Sequence, residues 1–163
     1  MTDNKNFEDY TPELQKNARL AKDWYSRICD SLEKCPFCNL KSKYIIAKEQ
    51  GWALTVNLFP YIEGHLLIIP QNHIESHLQM KSGDWESISK LLVLADSLLE
   101  QALGINGYNL VLREGEHGGK SLGHLHFHLI PFEEGLVSWS YRKIRESPQE
   151  TARKLREKLD ECR

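Results

Sequence analysis

The sequence predicts an α+β domain with a mainly antiparallel sheet, and three observations point there. Its segments run in the order helix, strands, helix, strands, helix. Two strand-like segments flank Gln50-Gly51, which is a hairpin signal. The length, 163 residues, is enough for one domain with its own core.

Thr11-Pro12-Glu13 opens the first helix, with Thr11 as N-cap and Pro12 at the first helical position. Leu14, Leu20, Trp24 and Ile28 carry its apolar stripe, giving a helix over about 12–32. Cys35-Pro36-Phe37-Cys38 sits on the turn that follows. Residues 44–47 and 52–56 are the hairpin strands, 57–61 a loop, and 65–69 a short buried strand stopped by Pro70. The strongest helix comes next. Trp85, Ile88, Leu91, Leu92, Ala95, Leu98, Leu99 and Ala102 recur at helical spacing to Leu103, with Ser82 or Asp84 as cap and Gly104 as stop. Residues 108–112 form another strand, and a glycine-rich loop leads into the segment 124–131. Ser147-Pro148-Gln149-Glu150 is a capping box opening a charged helix over about 148–161.

Composition excludes several functions. Lys+Arg 21 against Asp+Glu 23 leaves a formal charge of -2, too balanced for a general nucleic-acid binder, which needs many cationic phosphate contacts. With 40% hydrophobic and 27% charged residues the chain is not of a disordered type. Its apolar runs are too short to span a membrane. Residues 1–10 are polar and mixed in charge, unlike a secretory signal, so a cytoplasmic, reducing location is expected. Cys29 and Cys162 stand alone. Cys35 and Cys38 form a CxxC, which in such a location is half a zinc site or a redox pair. The redox reading needs a strand feeding a helix. Here the motif follows a helix and precedes strands, which favours zinc.

Residues 124–130 alternate histidine with apolar side chains. On a strand that places His124, His126 and His128 on one face and Leu125, Phe127 and Leu129 in the core. Three imidazoles at period two have no packing rationale. Two chemistries use such a row: metal ligation, or an imidazole nucleophile whose neighbours bind the anion it attacks. Gly115, Gly118, Gly119 and Gly123, with Ser121, supply backbone N–H groups and a hydroxyl just upstream, as a phosphate cradle requires.

The stretch His124-Leu125-His126-Phe127-His128-Leu129-Ile130 resembles the histidine-triad (HIT) motif. So do Gly115-x-x-Gly118-Gly119-x-Ser121-x-x-His124, Asn57 with Pro60, Gly64 and His65, and Ile69-Pro70-Gln71-Asn72-His73. The resemblance covers about 35–131, the core of a single HIT-like domain over 1–163. The CxxC and Gly123-His124-Leu125-His126 look most like the zinc-containing, diadenosine-tetraphosphate phosphorylase/hydrolase branch. The CxxC also resembles galactose-1-phosphate uridylyltransferase. The resemblance implies a half-barrel antiparallel sheet with flanking helices, paired as a homodimer. It implies hydrolysis or transfer of a nucleotide from a conjugate such as a dinucleoside polyphosphate, through a nucleotidyl-histidine.

By position, His126 would be the nucleophile and His128 would hold the phosphate and leaving-group side. His65 would orient His126 or sit behind the triad. Gly118, Gly119, Lys120 and Ser121 would hold phosphate oxygens, and Asn57 the ribose hydroxyls. His124, counted with His126, His128 and His65 among the catalytic histidines, would also join Cys35, Cys38 and His73 as ligands of a structural Zn2+, with His77 as the alternative to His73. Arg113 and Lys120 stand where many relatives carry Asn and Gln. They add positive charge suited to a highly charged polyphosphate or a phosphate acceptor. Tyr44, Ile45, Leu54 and Phe59 are apolar candidates for a base pocket. The helix over 85–103 is a candidate dimer interface or ordinary core. Two alternatives stay open on the residues themselves: a metallohydrolase with its metal on the triad, and a nucleotide-binding scaffold without turnover.

Overall fold

The structure, a computed structural model, describes residues 35–115, 117–120, 122–132 and 145–159. The expected helix over 12–32, Cys29, Ser121, Trp139, Tyr141 and Cys162 lie outside them. The chain divides into two compact units, 1–132 and 133–163. No helix among the described residues is long and apolar enough to cross a membrane.

The described residues of the first unit hold five strands: β1 (Ile45–Glu49), β2 (Trp52–Val56), β3 (Leu66–Pro70), β4 (Tyr108–Leu112) and β5 (Phe127–Pro131). They form one open antiparallel sheet in the order β1-β2-β3-β5-β4. The β1–β2 turn has positive φ at both Gln50 (37°) and Gly51 (88°), the combination whose twist matches a two-residue hairpin. Helix α1 (Asp84–Leu103) lies between β3 and β4 in sequence. Strand β5 inserts between β3 and the edge strand β4, so His128 pairs with Leu67 on one side and Val111 on the other.

Alternation then sorts the sheet's two faces. Trp52, Leu54, Leu66, Ile68, Phe127 and Leu129 pack with Ile88, Leu91, Ala95 and Leu99 of α1, forming the main core. Ala53, Leu67 and Ile69 point the other way and meet Phe37, Leu40 and Ile45. Leu54, expected as a base-pocket candidate, therefore belongs to the α1 core because it has the wrong parity on β2. The residue at the start of α1 is Gly83, not Ser82 or Asp84, and no side chain caps it. The Asp84 carboxylate is used elsewhere. It accepts the Lys81 N–H (2.6 Å) and the Trp52 Nε1–H (2.9 Å), which tie the helix start to β2.

A capping box that the sequence reading passed over lies at Ser76–Gln79. It starts a 3-10 turn, His77–Gln79. In the second unit, α2 (Pro148–Leu159) begins as expected, with Ser147 Oγ accepting the Glu150 N–H (3.2 Å). The Glu150 carboxylate pairs with Arg153 (2.6 Å).

Candidate active site and metal cluster

Regular strand begins at Phe127, so His124 and His126 lie just before it. Leu125, Phe127 and Leu129 enter the core as alternation requires. All three histidines are nonetheless buried, at 0, 5 and 5% exposure. The row divides. His124 turns to the cysteines, while His126 and His128 meet edge-to-face at 4.7 Å between ring centres, with His65 5.2 Å beyond His128.

Hydrogen-bond partners assign the tautomers. The Tyr61 N–H can only donate, and it meets His65 Nδ1 at 3.0 Å, so His65 carries its proton on Nε2. That Nε2–H donates to His128 Nδ1 (3.0 Å). His128 is left with its proton on Nε2. This nitrogen is the only buried side-chain N or O atom without a hydrogen-bond partner among the described residues. Such an atom is costly unless it serves an absent partner. His65 thus stands behind the triad and orients His128 rather than His126. Burial holds His128 well below the ordinary imidazole range, down to about 2, with His126, His65 and Arg113 adding smaller repulsions. His128 is neutral at physiological pH and offers one aimed N–H.

His126 has the complementary arrangement. Its Nδ1–H donates to the carbonyl of His124 (2.8 Å), which leaves the lone pair on Nε2. Burial, then the cations Arg113 and Lys120, push its pKa down against that bond, so the ring is neutral. Phe37, from the middle of the CxxC, lies edge-on to His126 (5.3 Å) and to His124 (5.6 Å). The sequence reading used only the two cysteines of that motif. An aromatic between two cysteines was the available signal.

The glycine-rich loop is shaped by close approach. A Cβ on Gly118 would lie 2.1 Å from the carbonyl oxygen of Glu114, and Gly119 has φ +72°. Only glycine fits that contact. Arg113 Nη1 donates to Gly119 O (3.3 Å), and its guanidinium lies 5.6 Å from the centre of the Tyr61 ring. Tyr61 in turn stacks on His65 at 5.0 Å. Lys120 Nζ bonds to the Glu75 carbonyl. Asn57 braces its own loop. Its Oδ1 accepts the Phe59 N–H (3.0 Å) and its Nδ2 meets His65 Nδ1 at 3.2 Å.

Cys35, Cys38, His73 and His124 come together, all four donor atoms within 4.8 Å of one another and close enough to hold a metal. Cys35 Sγ is 3.3 Å from His124 Nδ1. Cys38 Sγ is 3.3 Å from His73 Nδ1 and 3.6 Å from His124 Nδ1. A tetrahedral centre with metal–S near 2.3 Å and metal–N near 2.0 Å puts S and N about 3.5 Å apart. The outer partners suit the same role. His124 Nε2–H donates to Pro70 O (2.8 Å), so Nδ1 carries the lone pair, and His73 Nε2 lies 3.6 Å from Glu75 Oε1. Burial, then the neighbouring Cys35, raises the Cys38 thiol pKa, a cost that a bound cation reverses. His77, the alternative ligand, is outside the cluster and pairs with Glu114 at 2.8 Å. The reason is reach: His77 lies in the 3-10 turn, on the side of the glycine-rich loop.

An open antiparallel sheet with a histidine row entering its centre, a glycine-rich loop before that row and a CxxC beside it defines the class of fold. The HIT domain family matches residues 39–135, and the chain belongs to that family. An uncharacterized HIT-like protein of Chlamydia muridarum is 34% identical over 107 residues, 65% of this chain and 78% of that one. The adenylylsulfatase HINT3 of Arabidopsis thaliana is 25% identical over 115 residues, 68% of this chain and 58% of that one. The crystal structure of a HIT family protein from Bacillus anthracis shares the fold, with TM-score 0.63, 18% identity and coverage of 85% of this chain and 95% of that one.

Proposed function

We propose that the protein is a nucleotidyl hydrolase or transferase that cleaves nucleotide conjugates at the α-phosphate through a nucleotidyl-His126 intermediate. The observation that carries this reading is the pair of adjacent imidazoles, with a lone pair on His126 Nε2 and an unpartnered N–H on His128 Nε2. The His126 lone pair attacks phosphorus, and the bond to the leaving group breaks. His128 Nε2–H donates to a phosphate or leaving-group oxygen, and water or phosphate then releases the nucleotide.

In the same reading Gly118, Gly119, Lys120 and Ser121 take phosphate oxygens, and Asn57 takes the ribose hydroxyls. The base lies over Phe37, which is edge-on to His126, and the Ile45 side chain that packs in the same cluster. Arg113 and Lys120 favour an anionic leaving group such as a polyphosphate, and Glu114, one of two acids between them in the sequence, is paired with His77. Family membership supports the reading, as does the adenylylsulfatase activity in the name of the Arabidopsis relative. A catalytic metal on the triad is less well supported, because His124 directs its Nδ1 to the cysteines and His128 carries its proton on Nε2, which leaves His126 Nε2 as the free lone pair of the row.

Zinc is the metal we infer for Cys35, Cys38, His73 and His124. Two thiolates and two imidazoles suit its tetrahedral preference, and four protein donors leave no open position, so its role is structural. We further infer a homodimer. Leu110, on the edge strand β4, and Val93, Leu94 and Leu98 of α1 leave apolar surface exposed for it, and light scattering would report the mass.

Chromatography of products from diadenosine tetraphosphate, with and without inorganic phosphate, tests the reaction. AMP plus ATP without phosphate means hydrolysis, and ADP plus ATP only with phosphate means phosphorolysis. Tight nucleotide binding with no turnover of this or any phosphoramidate or sugar-phosphate conjugate overturns the enzymatic reading in favour of a binding scaffold.

A further inference from the structure

Glu114 opens the glycine-rich loop, and its carboxylate is committed. Oε1 accepts both the backbone N–H of His77 (2.7 Å) and its Nδ1–H (2.8 Å). The backbone bond is the main reason the carboxyl is held below the usual carboxylate range. The other end of the loop is tied to the same short segment, through Lys120 Nζ on the Glu75 carbonyl. Between the two tethers, Gly118 packs on the backbone of Glu114 and Gly119 accepts from Arg113. A segment with glycines at 115, 118 and 119 has large backbone freedom, and its order must come from such outside contacts. The Glu114 and His77 side chains are 24% and 42% exposed, so the pair adds little to global stability. Its consequence is local, because it decides where the loop amides point.

We propose that Glu114 and His77 are positioning residues, their contact holding the glycine-rich loop in the posture that binds a phosphate group beside His126. The proposal rests on the reading of that loop as a phosphate cradle.

Charge alone predicts the opposite of positioning. Removing an acid beside an anion site strengthens anion binding, whereas losing a tether weakens it. The probe is AMP, titrated calorimetrically into the full chain, together with amide exchange at Gly118 and Gly119. Glu114→Ala loses both bonds and is expected to weaken AMP about tenfold, and His77→Ala loses one, for about threefold. In both, exchange at Gly118 and Gly119 accelerates while melting temperature and bound metal stay as in wild type. His77→Asn, whose amide N–H occupies the place of Nδ1–H, recovers most of the loss. Unchanged or tighter AMP binding in Glu114→Ala, with unchanged exchange, overturns the proposal, as does loss of metal from His77→Ala. If wild-type protein fails to bind AMP, the functional reading fails, and the exchange rates still decide whether the pair orders the loop.

Discussion

Acidifying the protein from pH 7 to pH 5 isolates the burial of His128. The unfolded imidazole titrates near 6.5, and the folded one near 2. Between those values the unfolded chain binds a proton that the folded chain does not, so stability falls as pH falls below 6.5 and is regained on raising it. At pH 5 the unfolded state gains RT ln(1 + 10^1.5), about 2 kcal/mol, and at pH 7 only about 0.2 kcal/mol. The difference hardly changes for any folded pKa below about 4, so it depends on the burial of the ring and not on its exact titration point. The perturbation is His128→Asn, which keeps an acceptor for the His65 Nε2–H and removes the titrating group. Urea unfolding of both proteins at both pH values gives a double difference in which titrating groups that do not interact with His128 cancel. Wild type is expected to lose roughly 2 kcal/mol more than the variant. Equal losses would refute the assignment of a buried, neutral His128.

Other expectations follow from the same geometry. His126→Ala should reduce turnover of diadenosine tetraphosphate by at least about a thousandfold while leaving thermal unfolding cooperative, and substantial residual turnover would exclude it as nucleophile. Elemental analysis should find one zinc per chain. Cys38→Ser should lower both metal content and melting temperature, whereas His77→Ala should keep the metal. Gly118→Ala must displace the Glu114 carbonyl that its Cβ would meet at 2.1 Å. Calorimetry should therefore show weakened AMP binding, with a melting temperature close to that of wild type.

Much of the first unit was legible because local rules and tertiary packing agree there. The Gln50-Gly51 turn, the α1 stripe closed by Gly104 and the strand parity of Leu125, Phe127 and Leu129 all rest on backbone period and turn chemistry. The start of α1 was misread. Both cap candidates are plausible in sequence, but Asp84 is drawn to Trp52, a residue 32 positions away in the chain. Leu54 was misassigned because its role depends on which sheet face α1 covers. The cysteines and His73 were grouped only through the resemblance, since nothing in local spacing says that residues 35, 73 and 124 meet.

The sequence by itself determined the elements, the alternation that takes three imidazoles off the core side, and the residue types able to bind phosphate and metal. These depend on backbone period and on side-chain chemistry, which any short segment carries with it. Tertiary structure alone decided how the histidines are used. His65 reaches His128 across 63 residues and sets its tautomer, His124 leaves the row for the cysteines, and His77 meets Glu114 rather than those cysteines. Such roles depend on which partner occupies each ring nitrogen, and those partners arrive from distant parts of the chain only when the sheet closes around β5.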